Sequence, residues 1–394
     1  MKKQILAVAV AGAFAVPAFA AADTNVTLFG QLQTQVVHAS NNISGLDSSF
    51  NQTDAGGVQT DAGGVADYGF ALTEDLDDEA EAVFGALNLP GALGDGSGPS
   101  RIGVMVNHDL GNGLTALLKM ESNATTQDAF RGARDNYVGL DGNFGRVIAG
   151  RTGGSYSTAG KDPLNATFMQ ARANGARLGG LNGFGNGSYL ARSIRYMNDF
   201  GLVNLDVAVA IDNGDDSDTG VTGRLNFDLS PVDLYIAHSD FGGYGGSVFD
   251  TQRATKVGVD WNSGPFRVVA EVEDYKFSDI EGSPGIESSG NTFFVSGTYS
   301  MGRNDFVLNL GQTRRDSVMG ESLPNTDYAA IAVKHNFSNR VMAFAGVGYN
   351  STDAGVGYNS TDDFGYDFTP EGDVVGTGSS LSFTGVGGGM RVSF

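Results

Sequence analysis

The stretch LSFTGVGGGMRVSF, residues 381–394, ends the chain on the aromatic residue Phe394 and has the pattern of one amphipathic strand. Taken in alternation, its residues form an apolar face and a small or polar face: Val386, Gly388, Met390 and Val392 against Gly387, Gly389, Arg391 and Ser393. Side chains alternate across a strand, so the pattern predicts lipid on one side and water on the other. Chain ends usually fray, so an ordered aromatic as the last residue is itself informative.

The opposite end of the chain has the features of an export signal. Lys2 and Lys3 are followed by an apolar stretch, residues 5–19, that is too short to span a bilayer. The sequence Ala18-Phe19-Ala20 has the small-x-small pattern of a cleavage site. We therefore expect residues 1–20 to be a signal peptide and residues 21–394 to form the mature protein.

Composition limits the classes of protein that fit. Cysteine is absent from the 394 residues, so an exported chain of this size must be stable without disulfides. A closed β-barrel meets this requirement because every backbone group pairs with a neighbouring strand. After the signal, no apolar run is long enough for a transmembrane helix. The net charge of −21 argues against nucleic acid as a partner.

Runs of about ten residues in which apolar and polar side chains alternate recur along the chain. The connections between the runs are alternately short turns and long polar loops. In the first run, an apolar face alternates with a glutamine face: Val26, Leu28, Leu32 and Val36 against Gln31, Gln33 and Gln35. Short turns such as Gly111-Asn112-Gly113 alternate with long loops such as Ile280–Gly290. The pattern predicts an all-β fold, a transmembrane antiparallel β-barrel of sixteen strands with short periplasmic turns and long extracellular loops.

Two regions leave alternatives open. Within residues 40–99, the segment 68–87 fits either an extra hairpin, which would make eighteen strands, or a helix with an acidic face. We favour an extracellular loop insertion over 40–99. Near the end, residues 345–353 are repeated as 354–362, so Gly346–Asn350 and Gly355–Asn359 compete for one place in the fifteenth strand.

Several motifs, taken in order, resemble a known family. They are Ser100-Arg101-Ile102-Gly103 with Asp109-Leu110-Gly111-Asn112-Gly113-Leu114, Tyr137-Val138-Gly139-Leu140 with Gly142-Asn143-Phe144-Gly145 and Gly150-Arg151, Ser193-Ile194-Arg195-Tyr196, Phe337-Ser338-Asn339-Arg340, and the terminal Phe394. Together they resemble the Gram-negative general porins of the neisserial and burkholderial type. The resemblance covers nearly the whole mature chain and departs from the family pattern in the insertion at 40–99.

The resemblance implies a homotrimeric barrel in the outer membrane, in contact with lipid and lipopolysaccharide, that passes ions and small hydrophilic solutes passively. It also implies that a third loop, residues 152–189, folds inward as the constriction. A further implication is that the terminal strand with Phe394 is the signal read by the outer-membrane assembly machinery.

Charged residues define the candidate pore. The constriction loop carries Lys161, Asp162, Arg172 and Arg177. Alternation directs wall residues inward, namely Arg101, Lys119, Arg146, Arg195 and Arg224, and Arg151 begins the loop. Two roles are open for these charges. Opposed charges in a narrow neck can set a transverse field that acts on passing ions. The arginines can also pair with nearby acids and hold the loop, and both roles can apply together. We expect weak anion preference at the neck, with cation preference from the acidic loops as the competing prediction.

The sequence predicts no catalytic residue, no metal site and no cofactor. Its four histidines, His38, His108, His238 and His335, fall on separate strands without metal-ligand spacing. A substrate-selective porin is the first alternative. An outer-membrane barrel enzyme or an adhesin plugged by its own loops are the others, and the enzyme would need a nucleophile, a base and an acid within reach of one another.

Overall fold

The computed structural model describes residues 24–44, 70–71, 83–84, 93–94, 100–124, 129–171, 178, 189–211, 219–242, 244, 249–280, 283–316, 325–352, 366–368, 374–376 and 380–394. Within these ranges, no helix has the length and apolar character needed to cross a membrane. The predicted signal peptide, residues 1–20, lies outside the described residues.

Sixteen antiparallel strands form the barrel. In chain order they are β1 Thr24–Ser44, β2 Arg101–Gly111, β3 Leu114–Ala124, β4 Ala129–Gly142, β5 Gly145–Gly153, β6 Tyr189–Asp199, β7 Val203–Ile211, β8 Thr219–Asp228, β9 Val232–Asp240, β10 Phe249–Ser263, β11 Phe266–Ile280, β12 Ser283–Met301, β13 Asn304–Arg315, β14 Thr326–Ser338, β15 Val341–Thr352 and β16 Ser380–Ser393. Each strand pairs with its neighbours in sequence, so the chain winds once around the barrel.

The first strand closes the barrel because it pairs on both of its edges. Thr24 to Gln31 of β1 pair with β2, and Gln31 to Ser44 pair with β16. The predicted sixteen-stranded barrel is confirmed, and the eighteen-stranded alternative is wrong. Within 68–87, the described pieces Phe70–Ala71 and Val83–Phe84 are short strands that pair with each other outside the barrel sheet.

The two faces of the wall follow the predicted alternation. On β1, Val26 and Leu28 are 63% and 60% exposed on the outer face, whereas Gln33 and Gln35 are each 1% exposed on the inner face. An apolar exterior and a polar interior match a wall between lipid and water.

One loop prediction was wrong. Ile280–Gly290 was expected to be a long loop, but β12 begins at Ser283, so most of the stretch continues the β11–β12 hairpin. The pairing of Lys276 with Ser289 belongs to this extension. The sequence of residues 283–290 has no alternating apolar pattern, and periodicity therefore could not identify this stretch as strand.

The fifteenth strand takes the first copy of the tandem repeat. Gly346–Asn350 lie in β15, with Val347 opposite Val386 of the last strand. The second copy, Gly355–Asn359, lies outside the described residues.

Candidate pore constriction

A stretch of chain between β5 and β6 lies inside the barrel. We call residues 154–171 the inner segment. The Phe168 amide donates to Oε1 of Gln35 in β1 at 3.2 Å, and the Tyr156 hydroxyl donates to Oε2 of Glu273 in β11 at 2.5 Å. Because Gln35 and Glu273 are buried residues of distant strands, the inner segment follows the lumen wall and narrows the passage.

Apolar packing anchors the second half of the inner segment. Leu164, Phe168, Met169 and Ala171 pack into a buried cluster with Leu178 and with wall residues Val37, Val269, Phe294, Val307, Tyr328, Ala330, Ala332 and Phe344. A Cβ atom at position 346 would collide with the sulfur of Met169, so the glycine there leaves space for the methionine side chain. Burial of each large apolar side chain contributes about 1.5–3 kcal/mol, which holds this part of the segment against the wall.

A shared carboxylate anchors the first half. Asp206 in β7 is 3% exposed, and its Oδ1 accepts hydrogen bonds from Nε of Arg195 and Oγ of Ser155, both at 2.7 Å. Nη2 of Arg224 lies 3.2 Å from its Oδ2. Arg224 also donates to the carbonyl oxygen of Thr158 at 2.9 Å. These two arginines therefore tie the inner segment to the wall, and the Asp206 carboxylate offsets one of their two charges.

The ammonium group of Lys161 is held between two wall carboxylates. Its Nζ lies 3.1 Å from Oδ2 of Asp233 and 3.4 Å from Oδ2 of Asp260. Asp260 is also paired with Arg267, with Nη2 2.8 Å from Oδ2. Lys161 of the inner segment and Arg195 of the wall therefore both pair with nearby acids, which is the second of the two roles predicted from the sequence.

The carboxylate of Asp162 folds the inner segment. Its Oδ1 accepts hydrogen bonds from the Leu164 amide at 2.8 Å and from Nδ2 of Asn309 at 2.7 Å. Its Oδ2 accepts a hydrogen bond from the Ala171 amide at 2.7 Å. With 9% exposure, Asp162 joins both ends of a turn to β13, and little of its surface faces the passage.

A cluster of charged residues around Glu121 joins β2, β3 and β4 on the lumen wall. Glu121, 5% exposed, lies 2.7 Å from Lys119, 2.6 Å from Arg134 and 3.5 Å from Arg101. Lys119 also reaches Asp135 at 2.7 Å. Among the described side chains of this cluster, three cations thus share two carboxylates. The Arg101 side chain is 37% exposed and so remains accessible to ions in the lumen.

Two further cations on the lumen wall donate hydrogen bonds to neutral acceptors. Arg391 of β16 donates to Oε1 of Gln33 at 2.8 Å and to the carbonyl oxygen of Ala166 at 3.3 Å. Lys334 of β14 donates to the carbonyl oxygen of Pro163 at 3.2 Å. Sequence reasoning did not select either residue for the pore. The signal was available, because Arg391 alternates with the outward residues Met390 and Val392.

The structure does not bring all the predicted residues together. Arg146 pairs with Asp141 at 2.6 Å beside the short β4–β5 turn, at the opposite end of β5 from the inner segment. Arg151 donates from Nε to the carbonyl oxygen of Ala133 at 3.1 Å, and its guanidinium lies 5.0 Å from the ring centre of Tyr189. Arg172 and Arg177 lie outside the described residues.

An antiparallel barrel with an apolar exterior, a charged lumen and an inward segment defines a membrane channel. A model of the Gram-negative porin family matches residues 7–355, so the chain belongs to that family. It is a general diffusion porin of the outer membrane. No curated protein sequence matches the chain.

Solved structures share the fold. An anion-selective porin from Comamonas acidovorans is 19% identical, with a TM-score of 0.65 over 94% of this chain and 100% of that one. The trimer form of OmpT, an outer membrane protein of Vibrio cholerae, is 14% identical, with a TM-score of 0.59 over 94% and 99%. The outer membrane channel DcaP of Acinetobacter baumannii is 14% identical, with a TM-score of 0.55 over 94% and 97%.

Proposed function

We propose that this porin prefers anions weakly, through unneutralised cations that line its lumen. The carrying observation is that Arg391 is held only by neutral acceptors among the described residues, Gln33 on the wall and Ala166 on the inner segment. Neutral acceptors fix a cation in place without cancelling its charge. The excess of cations around Glu121 adds to the same potential.

The acidic chain as a whole does not decide selectivity in this proposal. Charges in the outer loops act over roughly 8 Å at physiological salt, whereas Arg391 and Lys334 lie on the wall of the narrow passage. Rings of fixed charge at a constriction set the preference of a pore. The anion-selective porin with the same fold is consistent with this proposal.

The reversal potential in a planar bilayer under a potassium chloride gradient tests the proposal. We expect the sign that reports chloride preference, and Arg391→Gln and Lys334→Met should each shift it toward potassium. Arg340→Gln is the matched control, because Arg340 is an exposed residue in the short β14–β15 turn. Clear cation preference of the unmodified channel would overturn the proposal.

We infer that the assembly is a homotrimer, a state that the trimer form of the OmpT neighbour supports. We also propose that lipopolysaccharide surrounds the barrel and that the outer-membrane assembly machinery recognises Phe394. We further propose cleavage after residue 20, a single barrel domain over 21–394 and a constriction loop at 152–189. The loop insertion predicted at 40–99 begins later than expected, because β1 continues to Ser44, and we propose it for the residues that follow. Crosslinking in native membranes followed by mass analysis would test the trimer.

We propose that the channel catalyses no reaction. The family is one of channels. His38 and His238 are exposed on the outer face, in register with outward Val36 and Ile236. His108 and His335 fall on the same face by alternation with Val106 and Val333. A barrel hydrolase that uses a histidine base in the lumen therefore lacks that base. Ester or peptide hydrolysis that is lost on replacing one histidine would contradict this.

A further inference from the structure

A polar cavity of about 170 Å³ lies in the lumen wall, between the inner segment and the short β10–β11 turn. Pro163 of the inner segment covers it. Its polar lining comes from five neighbouring elements: Asn262, Arg267, Thr298, Ser300, Asp305 and Lys334. The short turn places the cavity on the periplasmic side of the constriction.

Two opposite charges in this cavity stand apart although the strands place them side by side. Asp305 of β13 and Lys334 of β14 are directly opposite each other in the antiparallel register. Opposite charges at such positions ordinarily pair. Here Lys334 turns instead to the carbonyl oxygen of Pro163 at 3.2 Å. Asp305 accepts hydrogen bonds from Ser300 at 2.7 Å and Asn336 at 3.1 Å.

Two other residues that line the cavity, Arg267 and Thr298, bear on what it can bind. Arg267 is bound to Asp260 by two hydrogen bonds of 2.9 and 2.8 Å, so its charge is already balanced. The hydroxyl of Thr298 is buried and has no hydrogen-bond partner among the described residues. A buried hydroxyl without a partner costs free energy, which a bound polar group would recover.

We propose that this cavity binds a small zwitterion, an α-amino acid with a short side chain. The ammonium group binds the carboxylate of Asp305. The carboxylate group binds the ammonium of Lys334 and the hydroxyl of Thr298. A cavity of about 170 Å³ has room for a molecule of a few heavy atoms, such as glycine or alanine. This inference rests on the proposed function in one respect, because an amino acid can reach the cavity only through an open channel.

A zwitterion fits the charges better than a simple anion does. An anion at Lys334 would also face the carboxylate of Asp305, and a simple cation at Asp305 would face Lys334. A ligand with both charges satisfies both groups at once, and charge-assisted hydrogen bonds are the stronger kind. Binding at this point would retard amino acids that pass through the channel.

Single-channel conductance at constant potassium chloride concentration tests the proposal, with L-alanine added to either side in turn. We expect a saturable fall in time-averaged conductance. Propionate and ethylammonium, each carrying one of the two charges, should not reproduce it. Lys334→Met and Asp305→Asn should each raise the half-blocking alanine concentration by at least about tenfold, because each removes a charge-assisted contact.

Two additional variants separate binding from folding. Thr298→Val removes only the hydroxyl and should raise the half-blocking concentration by a smaller factor. Arg303→Gln removes a cation at the neighbouring short turn, outside the cavity lining, and should leave the alanine response unchanged. Each variant must first show the open-channel conductance of a folded barrel.

The proposal is overturned if alanine blocks the Lys334 and Asp305 variants as it blocks the unmodified channel. It is also overturned if propionate blocks as well as alanine, which would indicate a simple anion site. A channel that conducts with chloride preference but ignores alanine would refute this inference alone. Cation preference in the reversal potential would refute the proposed function and leave the alanine result to be judged by itself.

Discussion

Phe394 and Gly30 close the barrel against each other. The Phe394 amide donates to the carbonyl oxygen of Gly30 at 3.0 Å, and the Gly30 amide donates to the carbonyl oxygen of Phe394 at 3.3 Å. The Phe394 ring lies where a Cβ on residue 30 would project. The terminal aromatic is therefore seated on the one residue type without a side chain, at the seam between the first and last strands.

Replacing Gly30 with leucine should destabilise this seam. The new side chain would overlap the Phe394 ring, and overpacking of this kind costs about 1–3 kcal/mol. We expect a lower urea midpoint of unfolding, measured by the mobility shift of the folded barrel on a gel. Gly297→Leu is the matched control, because a Cβ at Gly297 meets no atom within 4 Å. Equal urea midpoints for the two variants would contradict the proposed contribution of the Gly30–Phe394 contact to stability.

Asp206→Asn should release the start of the inner segment. The substitution leaves Arg195 and Arg224 without their shared carboxylate, and breaking a buried ion pair costs about 3–5 kcal/mol. We expect noisier single-channel current and a lower melting temperature. Asp141→Asn breaks the exposed pair with Arg146 and should change stability by less than about 1 kcal/mol. Steady current in Asp206→Asn would show that the segment is held by other contacts.

Asp162→Asn should widen the passage without altering its selectivity. Both carboxylate oxygens accept hydrogen bonds from N–H groups, and an asparagine amide would direct its own N–H₂ at one of them. An unsatisfied buried group costs about 1–3 kcal/mol, so the turn should open. We expect larger conductance with an unchanged reversal potential. A shift of the reversal potential toward chloride would instead mean that Asp162 acts as a field charge.

Local alternation predicted the wall well. The outward exposure of Val26 and Leu28 and the burial of Gln33 and Gln35 follow from a period of two, which neighbouring residues carry by themselves. Alternation also directed Arg101, Lys119 and Arg195 toward the lumen. It failed at the long hairpin beyond Ile280, where the sequence has no alternating apolar pattern to mark the strand.

The environment of each charge could not be predicted in the same way. Asp162 bonds to Asn309, 147 residues later, and Arg391 bonds to Ala166, 225 residues earlier. No local pattern reports such partners. Alternation also treated Arg146 and Arg195 as equivalent, although Arg146 lies beside a short turn and Arg195 donates a hydrogen bond to Thr158 of the inner segment.

The sequence by itself determined a lipid-facing barrel and the face that most wall residues occupy. These properties depend on the side-chain period of a strand and on the turn chemistry between strands, and both are local. Only the tertiary structure decided that Phe394 rests on Gly30, which charges are neutralised and which stay free, and where the inner segment lies. Those properties depend on closing the barrel, which brings residues far apart in the chain within a few ångströms of each other.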